Sequence, residues 1–259
     1  MEEKFLKVAK QAALEAGKII SKYYGSKYQY NFKNEDNSDF ATQADLESEE
    51  KVVEILTENF PDHSIIAEEK TRIEKQSEYR WAIDPLDGTF AFSIGVPYFC
   101  VSIGLIKNNK PILGVIYQPA LNNLFYAQVG KGAYLNDKRI YASKRDKLDK
   151  CAVVLDFGHK KKRKEKIERY ILPLLTKIAQ PYEFGSGAAD QAFVAKGVFD
   201  ACINQAWIWD VAAGAIIIRE AGGVVSDFSG EEPDWQKDRL ELVESNGLIH
   251  KEILEALKK

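Results

Sequence analysis

The stretch Trp81-Ala82-Ile83-Asp84-Pro85-Leu86-Asp87-Gly88-Thr89 joins a strand-like apolar run to a turn that carries two carboxylates. Proline has a fixed φ and no N–H, so Pro85 is expected to stop the strand and stiffen the turn. Asp84 and Asp87 stand three apart across it, close enough for their side chains to converge. Two like charges at short range repel unless a cation lies between them. Gly88 lets the backbone come close to a ligand, and the N–H groups of Gly88 and Thr89 can face a phosphate where a helix begins. Carboxylates with a backbone carbonyl form a hard oxygen donor set that suits magnesium, and such a site performs metal-assisted hydrolysis. Taken alone, the stretch also reads as a plain turn, because Asp-Pro and Asp-Gly are common turn dipeptides.

Two further acidic clusters flank it. Glu68-Glu69 follows the apolar Ile65-Ile66-Ala67, and Asp210 sits in Trp209-Asp210-Val211-Ala212-Ala213-Gly214. Each has a bland reading: surface charges at a strand end for the first, a helix N-cap for the second. Thr42 and Asp45 have capping-box-like spacing at the start of a helix whose buried face is expected to be Leu46, Val53, Leu56 and Phe60. The joint occurrence of these clusters, in this order, outweighs their separate bland readings.

Periodicity places the motifs. Leu6, Ala9, Ala13, Gly17, Ile20 and Tyr24 recur at helical spacing, and a polar loop or hairpin follows from Gly25 to Asp39. From His63 to Ser143 the chain is strand-rich, with Gly, Asn and Pro between the runs. The second half alternates. Strands are expected at 152–156, 199–203, 224–227 and 242–245, and helices near 164–178, 188–195, 211–221 and 251–257. The helix from Val211 is apolar on nearly every side, which predicts burial between layers, and Gly222-Gly223 ends it. The mixture implies a layered α/β architecture. The 259 residues are read as one domain, with a metal-motif half to residue 145 and a second αβ half from residue 146.

Composition narrows the function. The chain is 45% hydrophobic and 29% charged, as for a globular protein, and its net charge of −3 argues against nucleic acid as the main partner. The segment Met1 to Lys10 has no apolar signal-peptide core, and the apolar run Val211 to Ile218 is too short to span a bilayer. Cys100, Cys151 and Cys202 are widely spaced, which predicts reduced thiols in a cytoplasmic protein, and His63, His159 and His250 are too scattered for a zinc site. The basic run Lys160 to Lys164 reads as a solvated loop or helix start.

Together these motifs, with Glu220-Ala221-Gly222-Gly223, closely resemble the inositol monophosphatases. Similarity extends through 39–45, 97–104, 130–136, 185–190 and Ser245-Asn246, so it covers essentially the whole chain. The resemblance implies an αβαβα sandwich of the inositol monophosphatase and fructose-1,6-bisphosphatase type, usually a homodimer. It implies two to three magnesium ions and inhibition by lithium. Glu68, Asp84 and the Leu86 carbonyl would hold the first ion, Asp84, Asp87 and Asp210 the second, and Glu68 with waters a third, weaker one. Thr89, backed by Asp45, would orient the attacking water. Gly88 and Thr89 would bind the phosphate, and Gly185, Ser186, Gly187 and Ala188 would line the substrate side.

One departure concerns the leaving group. Family members selective for inositol phosphate carry an acidic residue shortly before the Trp-Asp motif. In this chain Asn204 falls near that place, and the spacing is about one residue short. Trp207 nearby reads as a core or dimer-interface aromatic. The implied activity is hydrolysis of a small phosphate monoester, most simply inositol 1-phosphate. Fructose 1,6-bisphosphate, histidinol phosphate and adenosine bisphosphate are alternatives. An alternative of another class is a regulator that binds transcription or ribosome-assembly factors, as some bacterial members do.

Overall fold

Phe5, Val8, Ala9, Ala12, Ala13, Ala16 and Ile20, spaced three and four apart, are buried along one side of α1 (Glu2–Tyr23), the stripe that helical periodicity demands. The computed structural model describes residues 2–26, 30–33, 40–158 and 160–258, so Asp39 and His159 lie outside the described residues. After α1 comes a small antiparallel pair, β1 (Tyr30–Phe32) with β2 (Phe40–Thr42). Next is α2 (Gln43–Asn59). It opens on the expected capping box: Thr42 Oγ1 accepts the Ala44 N–H, and Asp45 Oδ2 accepts the Thr42 N–H at 2.7 Å. Its buried stripe is Ala44, Ser48, Val52, Ile55 and Leu56, whereas Leu46 and Val53 are only partly buried. The helix is rotated from the expected phase because Asp45 and Glu49 are also drawn inward, each held by several hydrogen bonds.

The chain then lays down β3 (Ser64–Ala67), β4 (Arg72–Ile73), β5 (Tyr79–Asp87), the short α3 (Thr89–Ser93), β6 (Cys100–Lys107), β7 (Lys110–Gln118), β8 (Asn123–Gln128), β9 (Gly132–Leu135) and β10 (Lys138–Arg139). These strands form an eight-stranded sheet in the order β10-β9-β8-β7-β6-β5-β3-β4. Pro85 does not end its strand. Instead β5 runs on to Asp87 with a register shift against β6 between Asp84 and Asp87. A bulge tolerates proline and re-aims side chains, so both aspartates come from one irregular strand end.

The second half contributes β11 (Ala152–Leu155), α4 (Lys160–Lys166), a π-helical turn over Ile167–Ile171, α5 (Leu172–Leu175), β12 (Gln180–Tyr182), α6 (Gly187–Ala195), β13 (Ala201–Trp207), α7 (Ile208–Glu220), β14 (Val224–Asp227), β15 (Arg239–Ser245) and α8 (His250–Leu257). The second sheet has the order β12-β11-β13-β15-β14. Lys160 to Lys164 begin α4, as a solvated helix start, with Lys162 paired to Glu165.

Five layers result. Helices α1 and α2 cover one face of the large sheet, α6 and α7 lie between the sheets, and α5 and α8 pack on the far face of the small sheet. Helix α7 is the buried central helix the sequence predicts, and it seats directly on glycines. A Cβ on Gly114 would fall 2.3 Å from the Ala213 carbonyl oxygen, and one on Gly104 would fall 2.8 Å from Ala212 Cβ. That close approach aims the N-terminus of α7 at the end of β5. The strand-rich segment from Tyr98 to Leu135 exposes few aromatics: Phe99, Phe125 and Tyr126 are buried. Exposed apolar side chains gather instead around α3, at Phe90, Ile94 and Val96.

Candidate active site

Four chain ends converge: the end of β5, the loop after β3, and the N-termini of α6 and α7. Asp84 is buried, and its Oδ1 accepts the Leu86 N–H at 2.9 Å. Asp87 Oδ2 accepts two bonds of 2.7 Å, from Ser186 Oγ and from the Ala188 N–H in the first turn of α6. Asp210 Oδ2 accepts the Trp207 N–H at 2.9 Å, closing the start of α7. Burial raises Asp84 well above the usual carboxylate range, and Glu68, Asp87 and Asp210 raise it further. Asp210 is pushed up by burial, then by Asp87 and Glu68. Asp87 is pushed up to about 6 by burial, against the lowering effect of its Ser186 and Ala188 bonds, with Glu68 adding to the rise.

Four acids therefore feel one another's charge in a cleft where Asp84 is buried and the other three are partly buried. Such a set needs protons or cations to coexist. The donors are all oxygen, which fits magnesium rather than a soft metal. Among the described residues, no three of these groups already form a ligand set around one point. Each engages a local partner instead.

The loop after β3 is fixed from below by a residue that sequence reading passes over. Buried Glu49 on α2 accepts the N–H groups of Glu69, Lys70 and Thr71 at 2.7–2.9 Å, and also the Thr71 hydroxyl. Its signal is an acid one turn after Asp45, on the same helix face. Lys33 is a second such residue. Its ammonium bonds Glu68 at 2.8 Å and Glu69 at 2.7 Å. Burial works to lower the Lys33 pKa, yet the two glutamates raise it overall. Glu69 is pushed up to about 8 by burial and by Glu68, with Lys33 opposing. Nothing local in the polar stretch around Lys33 marks it out.

Thr89 and Asp45 come together as expected. Thr89 Oγ1 lies 2.9 Å from Asp45 Oδ1 and 3.0 Å from the Leu86 carbonyl. Asp45 is buried and pushed up to about 6 by that burial, offset by bonds from Thr42. Gly88 has φ +91°, and a Cβ there would meet the Tyr98 carbonyl at 2.8 Å. Glycine is therefore needed both for the turn into α3 and for the packing.

The substrate-side residues divide. Gly185 and Gly187 leave open space, since a Cβ on Gly187 would meet nothing within 4 Å and one on Gly185 only Glu183 at 3.9 Å. Ser186 and Ala188 are buried and turned to Asp87, so they hold a carboxylate rather than line a pocket. Asn204 does not face the cleft as a leaving-group contact. It is buried beneath α6, and its Nδ2 donates to Glu244 Oε2 at 2.9 Å. The alternation of β13 turns it inward together with Cys202. Trp207 is not part of the core: it is 42% exposed and stacks on Trp209 at 5.0 Å between centroids.

Known proteins share this architecture. A family model described as the inositol monophosphatase family matches residues 1–259. A protein of Aquifex aeolicus named fructose-1,6-bisphosphatase/inositol-1-monophosphatase is 36% identical over 259 residues, covering 99% of this chain and 96% of that one. The Nus factor SuhB of Pasteurella multocida is 37% identical over 228 residues, covering 87% of this chain and 85% of its own. The crystal structure of the extragenic suppressor protein suhB from Bartonella henselae superposes with a TM-score of 0.91 at 33% identity, covering 99% of each chain.

Proposed function

The chain belongs to the inositol monophosphatase family, and from that premise and the acidic cleft we propose a magnesium-dependent phosphomonoesterase acting on a small polyol or sugar phosphate, in the manner of an inositol-1-monophosphatase. That the chain is a phosphatase of this superfamily follows from its full-length kinship. The magnesium assignment is carried by one observation: buried Asp84 and partly buried Asp87 and Asp210 gather with Glu68 beside the Thr89–Asp45 pair.

In this reading Glu68, Asp84 and the Leu86 carbonyl hold one ion, and Asp84, Asp87 and Asp210 hold a second. The ions supply Lewis-acid chemistry, which activates water and neutralises charge on the phosphoryl oxygens. The protein's own part is to hold geometry. Thr89 Oγ1 directs its hydrogen at Asp45 or the Leu86 carbonyl, leaving a lone pair to accept a hydrogen bond from the attacking water. As the water gives its proton to Oγ1, the threonine's own proton passes to the Asp45 carboxylate. The N–H groups of Gly88 and Thr89 serve the phosphate. Open backbone at Gly185 and Gly187 leaves room for the leaving group.

The Nus factor name of one relative supports a second reading, in which the protein also regulates transcription. In that reading the exposed lysines of α4 would form the contact surface. Retrieval of RNA polymerase or RNA by the wild-type protein, lost when Lys160 to Lys164 are neutralised, is the expected result; retrieval by neither form, or equally by both, removes this surface from consideration.

Phosphate release with magnesium should be measurable on inositol 1-phosphate, fructose 1,6-bisphosphate, histidinol phosphate and adenosine bisphosphate, with the sugar or polyol esters turned over best. Release from none of them, or from the nucleotide alone, contradicts the proposed substrate class. Thr89→Ala should lower kcat by roughly 10²–10⁴-fold with KM little changed, the mark of a group acting on the chemical step. An effect confined to KM would show that Thr89 binds substrate and does not orient water.

A further inference from the structure

Beneath α6, away from the metal cleft, lies a buried polar cluster that the catalytic reading does not use. Glu244 on β15 is fully buried, and so is Gln191 on α6; Asn204 on β13 is 2% exposed. Asn204 Nδ2 donates to Glu244 Oε2 at 2.9 Å, and the Gln191 carboxamide stands beside the Glu244 carboxyl. Glu244 Oε1, Asn204 Oδ1 and both polar atoms of Gln191 have no partner. Gln191 has little freedom to leave, because it is wedged over Gly214 of α7, where a Cβ would fall 1.6 Å from its Oε1.

With Glu244 ionised, the three unpartnered oxygens of this small space would all accept, and with the Asn204 amide already engaged by Glu244 Oε2 and Cys202 only the Gln191 amide is left to donate. Each unmet group costs on the order of 1–3 kcal/mol. A proton on Oε1 turns one acceptor into a donor aimed at a neighbouring carboxamide oxygen. We propose that Glu244 is kept as a neutral carboxylic acid that closes a hydrogen-bonded trio with Asn204 and Gln191, pins α6 to the small sheet, and so acts as a positioning residue for Asp87. The link to Asp87 is short: Gln191 lies one turn beyond Ser186 and Ala188, the two groups that hold the Asp87 carboxylate.

The surroundings agree. Burial pushes Glu244 up to about 8, against the opposing bond from Asn204 and the lowering effect of the neighbouring Gln191 amide. The ionisable groups around it are few. On β13 there is the Cys202 thiol, itself raised by burial. On α7 there is Arg219, whose charge reaches Glu244 but whose guanidinium is bonded to Glu232 and the Val225 carbonyl. On α6, Asp190 accepts the Tyr98 hydroxyl at 2.7 Å. From β14, Val225 stands opposite Glu244.

The sign of the pH effect follows. Unfolded glutamate ionises at about 4.5 and the folded group at about 8, so between those values the folded state binds the extra proton. Stability from Glu244 is complete below the first value and lost as pH rises to the second. Glu244→Gln imitates the neutral acid and does not titrate. In urea unfolding from pH 5 to 9, the folding constant of wild type relative to Glu244→Gln should fall about tenfold per pH unit up to pH 8 and then level off. Above pH 8, amide exchange from Ser186 to Gln191 should quicken in wild type relative to the variant. A ratio independent of pH would overturn the proposal. Should the variant not fold, the assigned Glu244 carboxyl resonance of ¹³C-glutamate-labelled wild type must titrate near pH 8, and a midpoint below 5 would overturn it. The positioning claim rests on the metal role of Asp87. These readouts need neither substrate nor metal, so their failure is distinguishable from failure of the phosphatase reading.

Discussion

Mutual repulsion among Glu68, Asp84, Asp87 and Asp210 is the constraint on which the rest of the site depends. Each would relieve it by swinging into water, and the fold denies each that route. The bulge in β5 buries Asp84 and leaves Asp87 partly buried beside it. Ser186 and the start of α6 hold Asp87, the backbone at Trp207 holds Asp210, and Glu49 anchors the loop that carries Glu68. Close seating of α7 on Gly104 and Gly114 sets where the N-terminus of α7 can stand. The acids are thus fixed from the large sheet, the central helices and the outer helix α2. Such over-determination is how a fold maintains a locally unfavourable arrangement of charge.

Much of this was legible in the sequence because the responsible signals are local. The capping box at Thr42, the glycine at the turn into α3 and the apolar periphery of α7 each follow from a few adjacent residues. Glu49 and Lys33 were missed because their partners lie 20 and 35 residues away, and charge on a helix or loop ordinarily means solvent. Pro85 misled because the turn reading ignored the possibility of a bulge within a continuing strand. Ser186 and Ala188 sit where the family motif suggests, yet they act on Asp87, a distinction that only the tertiary contact reveals.

The leaving-group side shows the limit of motif transfer. Strand alternation sends every second residue to the opposite face. With the spacing one residue short, only the paired strands reveal where Asn204 points. It points inward, to Glu244. The polar group that would have met a hydroxyl of the substrate is committed to the core instead, which ties the small sheet to α6 and through α6 to Asp87.

A cleft that crowds four carboxylates in this way should hold divalent cations. The direct test is the thermal midpoint of the wild-type protein and of Asp84→Asn, with magnesium and with potassium at matched ionic strength. A ligand bound only by the folded state at 100 times its Kd stabilises by about 2.7 kcal/mol. Magnesium should raise the wild-type midpoint by several degrees beyond potassium, and Asp84→Asn should lose most of that difference. Equal shifts from the two salts in the wild-type protein would contradict it.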